Sequence, residues 1–148
     1  MTTEQKYNII ILTNKRKEDI KMNVLILSNG ELKEKALKNS LEALQQIVGG
    51  YIEIPFISQK FLKNAIDIII NEEGQYIEGL KPEIVIANKE TNQTLDIIYG
   101  NCVFASHDNR GNTISLNDDQ RRIITEELKD VIVTKDTGEM LTIKALFI

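Results

Sequence analysis

The sequence has 148 residues, of which 42% are hydrophobic and 27% charged, and these proportions indicate one ordinary soluble domain. Its 22 acidic and 18 basic residues give a net charge of -4. This charge is too small for an acidic mimic of DNA and has the wrong sign for a protein held to nucleic acid by bulk charge, so we do not expect nucleic-acid binding.

Two aliphatic runs of strand length open the chain, YNIIILT at residues 7–13 and MNVLILS at residues 22–28, and both predict buried strands. The first run is too short for the apolar region of a secretory signal, and no stretch approaches the roughly 20 apolar residues of a membrane span. We therefore expect a cytoplasmic protein without a membrane partner. Residues 1–21 are predicted to be an N-terminal extension with one strand, and residues 22–148 a single domain.

A helix is predicted over residues 39–48, because Asn39-Ser-Leu-Glu42 has the spacing of a capping box. Gly49-Gly50 follows and supplies a left-handed residue that ends the helix.

The next strand is predicted over residues 51–57. Its alternation points Ile52, Ile54 and Phe56 toward the core and leaves Tyr51 and Glu53 outward. Pro55 cannot donate a hydrogen bond to a neighbouring strand, so this strand is expected to lie at an edge of the sheet or to bend there.

An isoleucine-rich run at residues 65–70 continues into Asn71-Glu-Glu-Gly74 and then Tyr76-Ile77, which is the pattern of a hairpin. Asparagine and glycine satisfy the dihedral angles of a tight turn. Glu72 and Glu73 are therefore expected at a solvated tip rather than as a catalytic pair, because adjacent exposed carboxylates have no environment that separates their pKa values.

Three strands are predicted next, at residues 84–87, 95–99 and 102–105, followed by a loop at 107–112. Asn117-Asp-Asp-Gln120 repeats the capping-box spacing and predicts a helix over residues 117–129. The C-terminal residues 130–148 are predicted to form a hairpin that turns at Lys135-Asp-Thr-Gly138.

These elements predict an α+β fold with a mainly antiparallel sheet and two short helices packed on one face, because parallel strands would need long crossovers that the chain seldom has room for. That face is expected to carry five isoleucine residues: Ile52, Ile54, Ile66, Ile68 and Ile70.

The last strand is apolar on both sides. One side carries Leu141, Ile143, Ala145 and Phe147, and the other carries Met140, Leu146 and Ile148. Such a strand is either central in its sheet or covered by another subunit, so a homo-oligomer is one of two expectations.

Several of these segments together resemble a known family. After a capped helix come VGGYIEI at residues 48–54 and NEEG at 71–74, and further on DIIYGNCVFA at 96–105 and SLNDDQ at 115–120. They are similar to an uncharacterised family of phage-borne and bacterial proteins, domain of unknown function 3846, over about residues 22–128. The family pattern usually continues through Leu-Pro to an Asn-Arg pair, whereas this chain has Leu80-Lys-Pro82 and then Glu83-Ile84. The resemblance implies a mobile-element context and no particular reaction.

Three candidate catalytic patterns have a structural interpretation that we prefer. Asp136-Thr137-Gly138 matches the tripeptide of aspartic proteases, but Lys135 and Glu139 bracket it, which indicates a hairpin turn. His107-Asp108 resembles an oriented base, yet this histidine lies in a glycine- and asparagine-rich segment and is expected to be a solvated loop residue.

Cys102 lies in an apolar alternating run and is interpreted as a small buried hydrophobe rather than a nucleophile. As the single cysteine it also excludes an internal disulfide and a thiolate metal cluster. Ser28-Asn29-Gly30 is not a phosphate loop, because the chain lacks the GxxxxGK[ST] and GxGxxG patterns, and no cofactor is predicted. The basic clusters, residues 15–17 and Arg121-Arg122, are interpreted as solvated.

Two hypotheses for the function are consistent with the sequence. The first is a non-catalytic binding protein of a phage or mobile element, which binds a host protein or sequesters a small ligand and could inhibit a host defence. The alternative is a small hydrolase or transferase that uses the carboxylates of Glu53, Asp67 and Asp96, with or without a metal. Metal content of the purified protein would separate them.

The predicted binding surface consists of Tyr51, Glu53, Asn71 and Tyr76. Tyrosine offers a large, rigid contact with a polar tip, and paired glycines let a partner approach the backbone. The structural alternative is that Tyr51 packs across the strand on Tyr76 while Gly49-Gly50 only ends the helix.

Overall fold

The computed structural model describes residues 20–148, and the strand predicted at residues 7–13 lies outside them. The described residues form ten strands: β1 Lys21–Ser28, β2 Glu31–Lys38, β3 Ile52–Glu53, β4 Ile66–Asn71, β5 Pro82–Ala87, β6 Thr94–Tyr99, β7 Cys102–His107, β8 Thr113–Ile114, β9 Leu128–Thr134 and β10 Met140–Phe147. They also form three α-helices, α1 Leu41–Val48, α2 Gln59–Lys63 and α3 Asp118–Glu127, and a 3-10 turn, Gly74–Tyr76. No helix within this part of the chain is long and apolar enough to cross a membrane.

The described strands build two sheets. The first has the order β2-β1-β7-β4-β3, with β8 beside β7, and every pair is antiparallel. The second has the order β6-β5-β10-β9, in which only β5 and β10 run parallel. The predicted α+β class with mainly antiparallel pairing is therefore confirmed. β10 is central in its sheet, which is the first of the two placements expected for a strand that is apolar on both sides.

The main core lies between the two sheets. Strand alternation turns Leu25, Ile68 and Phe104 of the first sheet toward Ile84 and Leu146 of the second. The same cluster includes apolar residues of α3, Ile123 and Ile124, and Phe61 of α2. The Phe61 ring meets the Phe104 ring edge to face, with 6.4 Å between their centroids.

The other face of the first sheet is covered by α1. Leu44 and Val48 of this helix pack with Val24, Ile69 and Val103. The prediction that both long helices share one sheet face is therefore wrong, because α1 and α3 lie on opposite faces. The physical reason is visible in β4, where the neighbouring residues Ile68 and Ile69 are both buried, so that each face of the sheet needs a cover.

The N-terminal caps predicted for α3 and α1 can be compared with those in the structure. In α3 the predicted box is present: the Asn117 side chain accepts the Gln120 N–H, and the Gln120 side chain accepts the Asn117 N–H. In α1 the prediction is wrong by one residue, because Ser40 is the N-cap and its Oγ accepts the Ala43 N–H. The Asn39 side chain instead donates to the Thr113 carbonyl and ties the helix start to β8.

β2 has no counterpart in the predictions. Its sequence, ELKEKALK, lacks an apolar alternation, yet it pairs with β1 along its whole length. Because β2 is an edge strand with mostly exposed side chains, its charged residues are compatible with the sheet and discourage pairing with other chains.

The segment after α1 also differs from its prediction. Only Ile52–Glu53 pairs with β4, at the edge of the sheet, as Pro55 suggested. Beyond Glu53 the chain leaves the sheet, so Ile54 and Phe56 are exposed instead of facing the core. The hairpin predicted after Asn71 is absent as well, because Gly74–Tyr76 forms a 3-10 turn rather than a returning strand.

Candidate functional site

The chain between α1 and α2 includes a segment at the protein surface, residues 51–57, which lies between two clefts and which we term the 51–57 ridge. Three of its side chains are large, apolar or aromatic, and exposed: Tyr51 by 74%, Ile54 by 47% and Phe56 by 65%. Leu62 of α2 is also exposed and lies close by, since it shares a cleft with Ile54 and Phe56. Scattered exposed apolar residues are ordinary, whereas a group of them on one short segment is typical of a contact surface.

Two clefts flank this ridge. The first has a volume of about 150 Å³ and lies between the ridge, α2 and the start of β4, with Asp67 in its lining. The second has a volume of about 230 Å³ and is lined by Glu53, Asn71, Asp96 and Tyr99. Residues 55–57 line both clefts, so the ridge separates them. Both volumes are below the roughly 300–1,000 Å³ of pockets that enclose small molecules.

Asn71 positions the start of the ridge. Its side chain is buried, donates from Nδ2 to the Val48 carbonyl at 3.1 Å, and accepts the Glu73 N–H at 2.8 Å. The backbone of the same turn reaches the ridge directly, because the Glu72 N–H donates to the Tyr51 carbonyl at 3.0 Å. One asparagine therefore joins the end of α1 to the turn that holds the ridge in place.

The glycine pair before the ridge has two separate physical roles. Gly49 adopts a φ of +82°, which is the left-handed conformation that ends α1. Gly50 has no such requirement, but a Cβ atom there would lie 2.9 Å from Nδ2 of Asn71. The close approach of the Gly50 backbone to the buried amide thus explains the second glycine, without any partner molecule.

Of the four predicted binding residues, three are exposed at the surface and one, Asn71, is buried. Tyr51, Glu53 and Tyr76 are exposed, with Tyr76 in the 3-10 turn. Asn71 lines the second cleft, but its amide is used inside the protein, so it supports the ridge rather than facing solvent. Within residues 20–148 the aromatic pair is Phe61 with Phe104, so the alternative in which Tyr51 packs on Tyr76 is not formed.

Three contributors to this surface were missed by sequence reasoning: Ile54, Phe56 and Leu62. The alternation from Ile52 to Phe56 predicts inward side chains, but the strand ends before Ile54. Two local signals favour that ending. Pro55 disfavours a continued strand, and Ser58 is an N-cap residue whose Oγ accepts the Phe61 N–H at the start of α2.

His107 and Asp67 form a second group of interest. Nδ1 of His107 lies 3.0 Å from Oδ2 of Asp67, and both side chains are partly buried. The prediction of a solvated loop histidine is therefore wrong in both respects, because His107 is the last residue of β7, where it pairs with Thr113 of β8, and its side chain contacts Asp67 of β4. A carboxylate on Nδ1 orients the ring and leaves Nε2 for proton transfer, as in a general base.

Ser106, which precedes His107 in β7, does not supply this pair with a nucleophile. The neighbouring Ser106 hydroxyl donates to the Ala65 carbonyl at 2.8 Å and accepts from Nε2 of Gln120 at 2.9 Å. Because strand residues alternate, Ser106 lies on the opposite side of β7 from His107. The Ser106 hydroxyl therefore bonds to the residue before β4 and to α3, and it does not complete a catalytic triad with His107 and Asp67.

The three carboxylates of the hydrolase hypothesis do not converge. Glu53 and Asp96 line the second cleft, whereas Asp67 lines the first. Oδ1 of Asp96 also accepts the Ile97 N–H at 2.8 Å. Within residues 20–148 there is no group of three or more His, Cys, Asp or Glu side chains placed to hold a metal ion.

The remaining candidate motifs have structural roles. Cys102 is fully buried, and burial raises its pKa, as does the nearby Glu83 carboxylate, so it is a poor nucleophile and the interpretation as a small hydrophobe is confirmed. The turn that contains Asn29 and Gly30 donates two backbone N–H groups to Glu83, at 2.8 and 2.9 Å. Asp136-Thr137-Gly138 lies in the turn between β9 and β10, as predicted.

Comparison with known proteins gives one result. A family model described as domain of unknown function (DUF3846) matches residues 22–129, which is well over half of the chain. The matched range runs from the second residue of β1 to the second residue of β9 and includes the 51–57 ridge. Searches of the curated proteins and of the solved structures give no match.

Proposed function

This chain belongs to the family described as domain of unknown function (DUF3846), and we propose that it is a non-catalytic binding protein that acts through the 51–57 ridge. Its partner is a protein of the host cell in which a phage or other mobile element carries this chain. The mobile-element setting is an expectation from the family resemblance, and inhibition of a host defence protein is the form of action proposed within it.

The observation that carries this proposal is the exposure of Tyr51, Ile54 and Phe56 on one short segment. Burial of such side chains against a partner releases roughly 1.5–3 kcal/mol each, at about 25 cal/mol per Å² of apolar surface. Aromatic residues lose few side-chain degrees of freedom on binding and dominate the energetics of many interfaces. Asn71 and Pro55 restrain the backbone of this segment, so less conformational entropy is lost when a partner binds.

The shape of the surface favours a macromolecular partner over a small ligand. The exposed side chains stand on a ridge, and the clefts of about 150 and 230 Å³ on either side are too small to enclose most metabolites. A groove or loop of another protein can enclose the ridge and insert into both clefts. Glu53 and Glu72 line the second cleft and would favour basic groups of that partner.

One observation favours the alternative, a small hydrolase or transferase. The hydrogen bond between His107 and Asp67 orients an imidazole that is partly accessible to solvent. Metal analysis of the purified protein separates the two hypotheses. A stoichiometric divalent ion would favour the enzyme, and the binding-protein proposal expects none.

We expect that changes on the ridge weaken partner capture about 10-fold or more, because a central interface residue contributes about 2 kcal/mol or more and about 1.4 kcal/mol is a factor of ten in affinity. The measurement is affinity capture from native host cells with the full-length chain, Phe56→Ala and the double variant Tyr51→Ala/Glu53→Ala as baits. Leu41→Ala is the matched control, since Leu41 is similarly exposed but lies at the start of α1. Equal capture by correctly folded ridge variants would exclude this surface as the binding site.

A further inference from the structure

β4 is paired along most of one edge but only briefly along the other. β7 pairs with residues 66–69 on the first edge, whereas β3 reaches only Ile70 and Asn71 on the second. The remaining part of the second edge, residues 66–68, lies in the lining of the first cleft, and we term it the open edge of β4. In the part of the chain that the structure describes, no strand pairs with it.

The backbone groups of Ile66 and Ile68 point outward at this open edge. On the same edge, the Glu72 N–H donates to the Tyr51 carbonyl at 3.0 Å, so Glu72 faces β3. Successive residues of a strand face opposite neighbours, so Ile70, Ile68 and Ile66 face that edge as well. Ile70 is paired there with β3, but within residues 20–148 neither Ile66 nor Ile68 has a backbone hydrogen bond on this side.

The open edge results from the sequence of the 51–57 ridge. The register that pairs Glu53 with Ile70 would place Pro55 opposite Ile68. Proline has no N–H to donate, so the pairing stops and the ridge leaves the sheet. Ser58 then caps α2, and the chain enters a helix instead of continuing beside β4.

These outward backbone groups lie in apolar surroundings. Ile66 and Ile68 are 4% and 2% exposed. The first cleft is lined mainly by apolar side chains, among them Phe56, Phe61 and Leu62. Peptide groups in such a place gain most from a partner that supplies both donors and acceptors.

The spacing of these groups favours another extended chain as that partner. Ile66 and Ile68 are two residues, or about 7 Å, apart, and each presents one N–H and one C=O. The backbone of an extended chain carries the same groups at the same spacing. A cleft of about 150 Å³ that is too small to enclose most metabolites can still hold such a backbone.

We propose that the open edge of β4 binds a short extended segment of the partner protein, which adds to the first sheet as an antiparallel strand. This inference rests on the proposed function, because the partner is the protein that encloses the 51–57 ridge. The antiparallel direction is that of β3 on the same edge, and every pair of the first sheet is antiparallel. In strand addition the main-chain hydrogen bonds supply affinity, and contacts of alternate side chains supply specificity.

The two outer residues of the segment are apolar. They lie opposite Ile66 and Ile68 and turn their side chains to the same face of the sheet as these two residues. Ile66 and Ile68 belong to the apolar core cluster between the sheets, together with Phe61 of α2. Apolar side chains of the segment therefore meet apolar neighbours at both outer positions.

Asp67 determines the charge of the middle residue. Among the described residues that line the first cleft, Asp67 is the charged one, and neither lysine nor arginine is present. Oδ2 of Asp67 lies 3.0 Å from Nδ1 of His107, whereas Oδ1 has no hydrogen-bond partner within residues 20–148. A lysine or arginine opposite Asp67 gains an ion pair, and a glutamate there meets a like charge. The segment is therefore basic at its middle position.

The test is an NMR titration of the isotope-labelled full-length chain with the probe peptide acetyl-Val-Lys-Val-amide. We expect the backbone amide signals of Ile66 and Ile68 to shift most, because their N–H groups acquire acceptors. Smaller shifts are expected at Asp67 and Ile69, whose N–H groups face β7.

Methylated peptides and a charge variant of the peptide are the controls. In antiparallel pairing both valine N–H groups of the peptide face β4, and the lysine N–H faces away. We expect N-methylation of both valines to weaken binding about 10-fold or more, and N-methylation of the lysine to weaken it less than about 3-fold. The peptide with glutamate in place of lysine should bind at least about 3-fold more weakly.

The inference would be overturned by an absence of binding, by the largest shifts outside the first cleft, by equal losses from the two methylated peptides, or by equal binding of the lysine and glutamate peptides. Its failure is distinguishable from that of the proposed function. Host-protein capture that depends on Phe56 without binding of the peptide removes only the open edge of β4. Capture that is unchanged in Phe56→Ala removes the 51–57 ridge, whatever the peptide does.

Discussion

Replacement of Ile68 by alanine is expected to lower the free energy of unfolding by about 2–4 kcal/mol, because it leaves a cavity between the two sheets. The Ile68 side chain is 2% exposed and belongs to the core cluster that also contains Phe61 and Phe104. Chemical denaturation monitored by circular dichroism measures this loss. A change of this size is a large share of the total stability of a small domain.

Glu73→Ala is the matched control, in the turn that follows β4. Glu73 is exposed, and its hydrogen bond to Asn71 uses its backbone N–H, which alanine retains. We expect a change within about 0.5 kcal/mol. Similar denaturation midpoints for Ile68→Ala and Glu73→Ala would show that the core is not where the structure places it.

Replacement of Asn71 by alanine is expected to destabilise the protein by about 1–3 kcal/mol, although sequence reasoning placed this residue on a binding surface. The variant leaves the Val48 carbonyl and the Glu73 N–H without the side-chain partner that they have in the native protein. The Val48 carbonyl is buried, so without the Asn71 amide it has neither a protein partner nor the hydrogen bond to water that it makes in the unfolded chain.

The appropriate comparisons are Asn109→Ala, which removes an exposed asparagine, and Tyr51→Ala, which truncates an exposed ridge residue. Both should leave the denaturation midpoint close to that of the unmodified protein. If Asn71→Ala were equally stable, the supporting role inferred from its two hydrogen bonds would be incorrect.

Local patterns in the sequence predict much of the fold. The aliphatic run before Ser28, the Asn117 capping box and the C-terminal hairpin are found where the pattern indicates them, because each depends on neighbours within a few residues. β2 could not be predicted in this way. Its charged sequence becomes a strand through pairing with β1, which is a property of the sheet rather than of the segment.

Sequence reasoning about residues 51–57 predicted the exposure of some side chains correctly and of others wrongly. Tyr51 and Glu53 are exposed as predicted, whereas Ile54 and Phe56 were expected in the core. The alternation rule holds only while the strand is paired, and here pairing stops at Glu53. The supporting role of Asn71 depends on contact with Val48, 23 residues earlier in the chain, and no local pattern shows it.

The most direct test of the proposed function is photo-cross-linking in the native host with a benzophenone amino acid at position 56. The same probe at position 41 is the control, because both native side chains are exposed while only Phe56 lies on the ridge. We expect a discrete adduct between the full-length chain and one host protein from position 56 and none from position 41. No adduct from position 56, or the same adduct from both positions, would contradict a binding role for the 51–57 ridge.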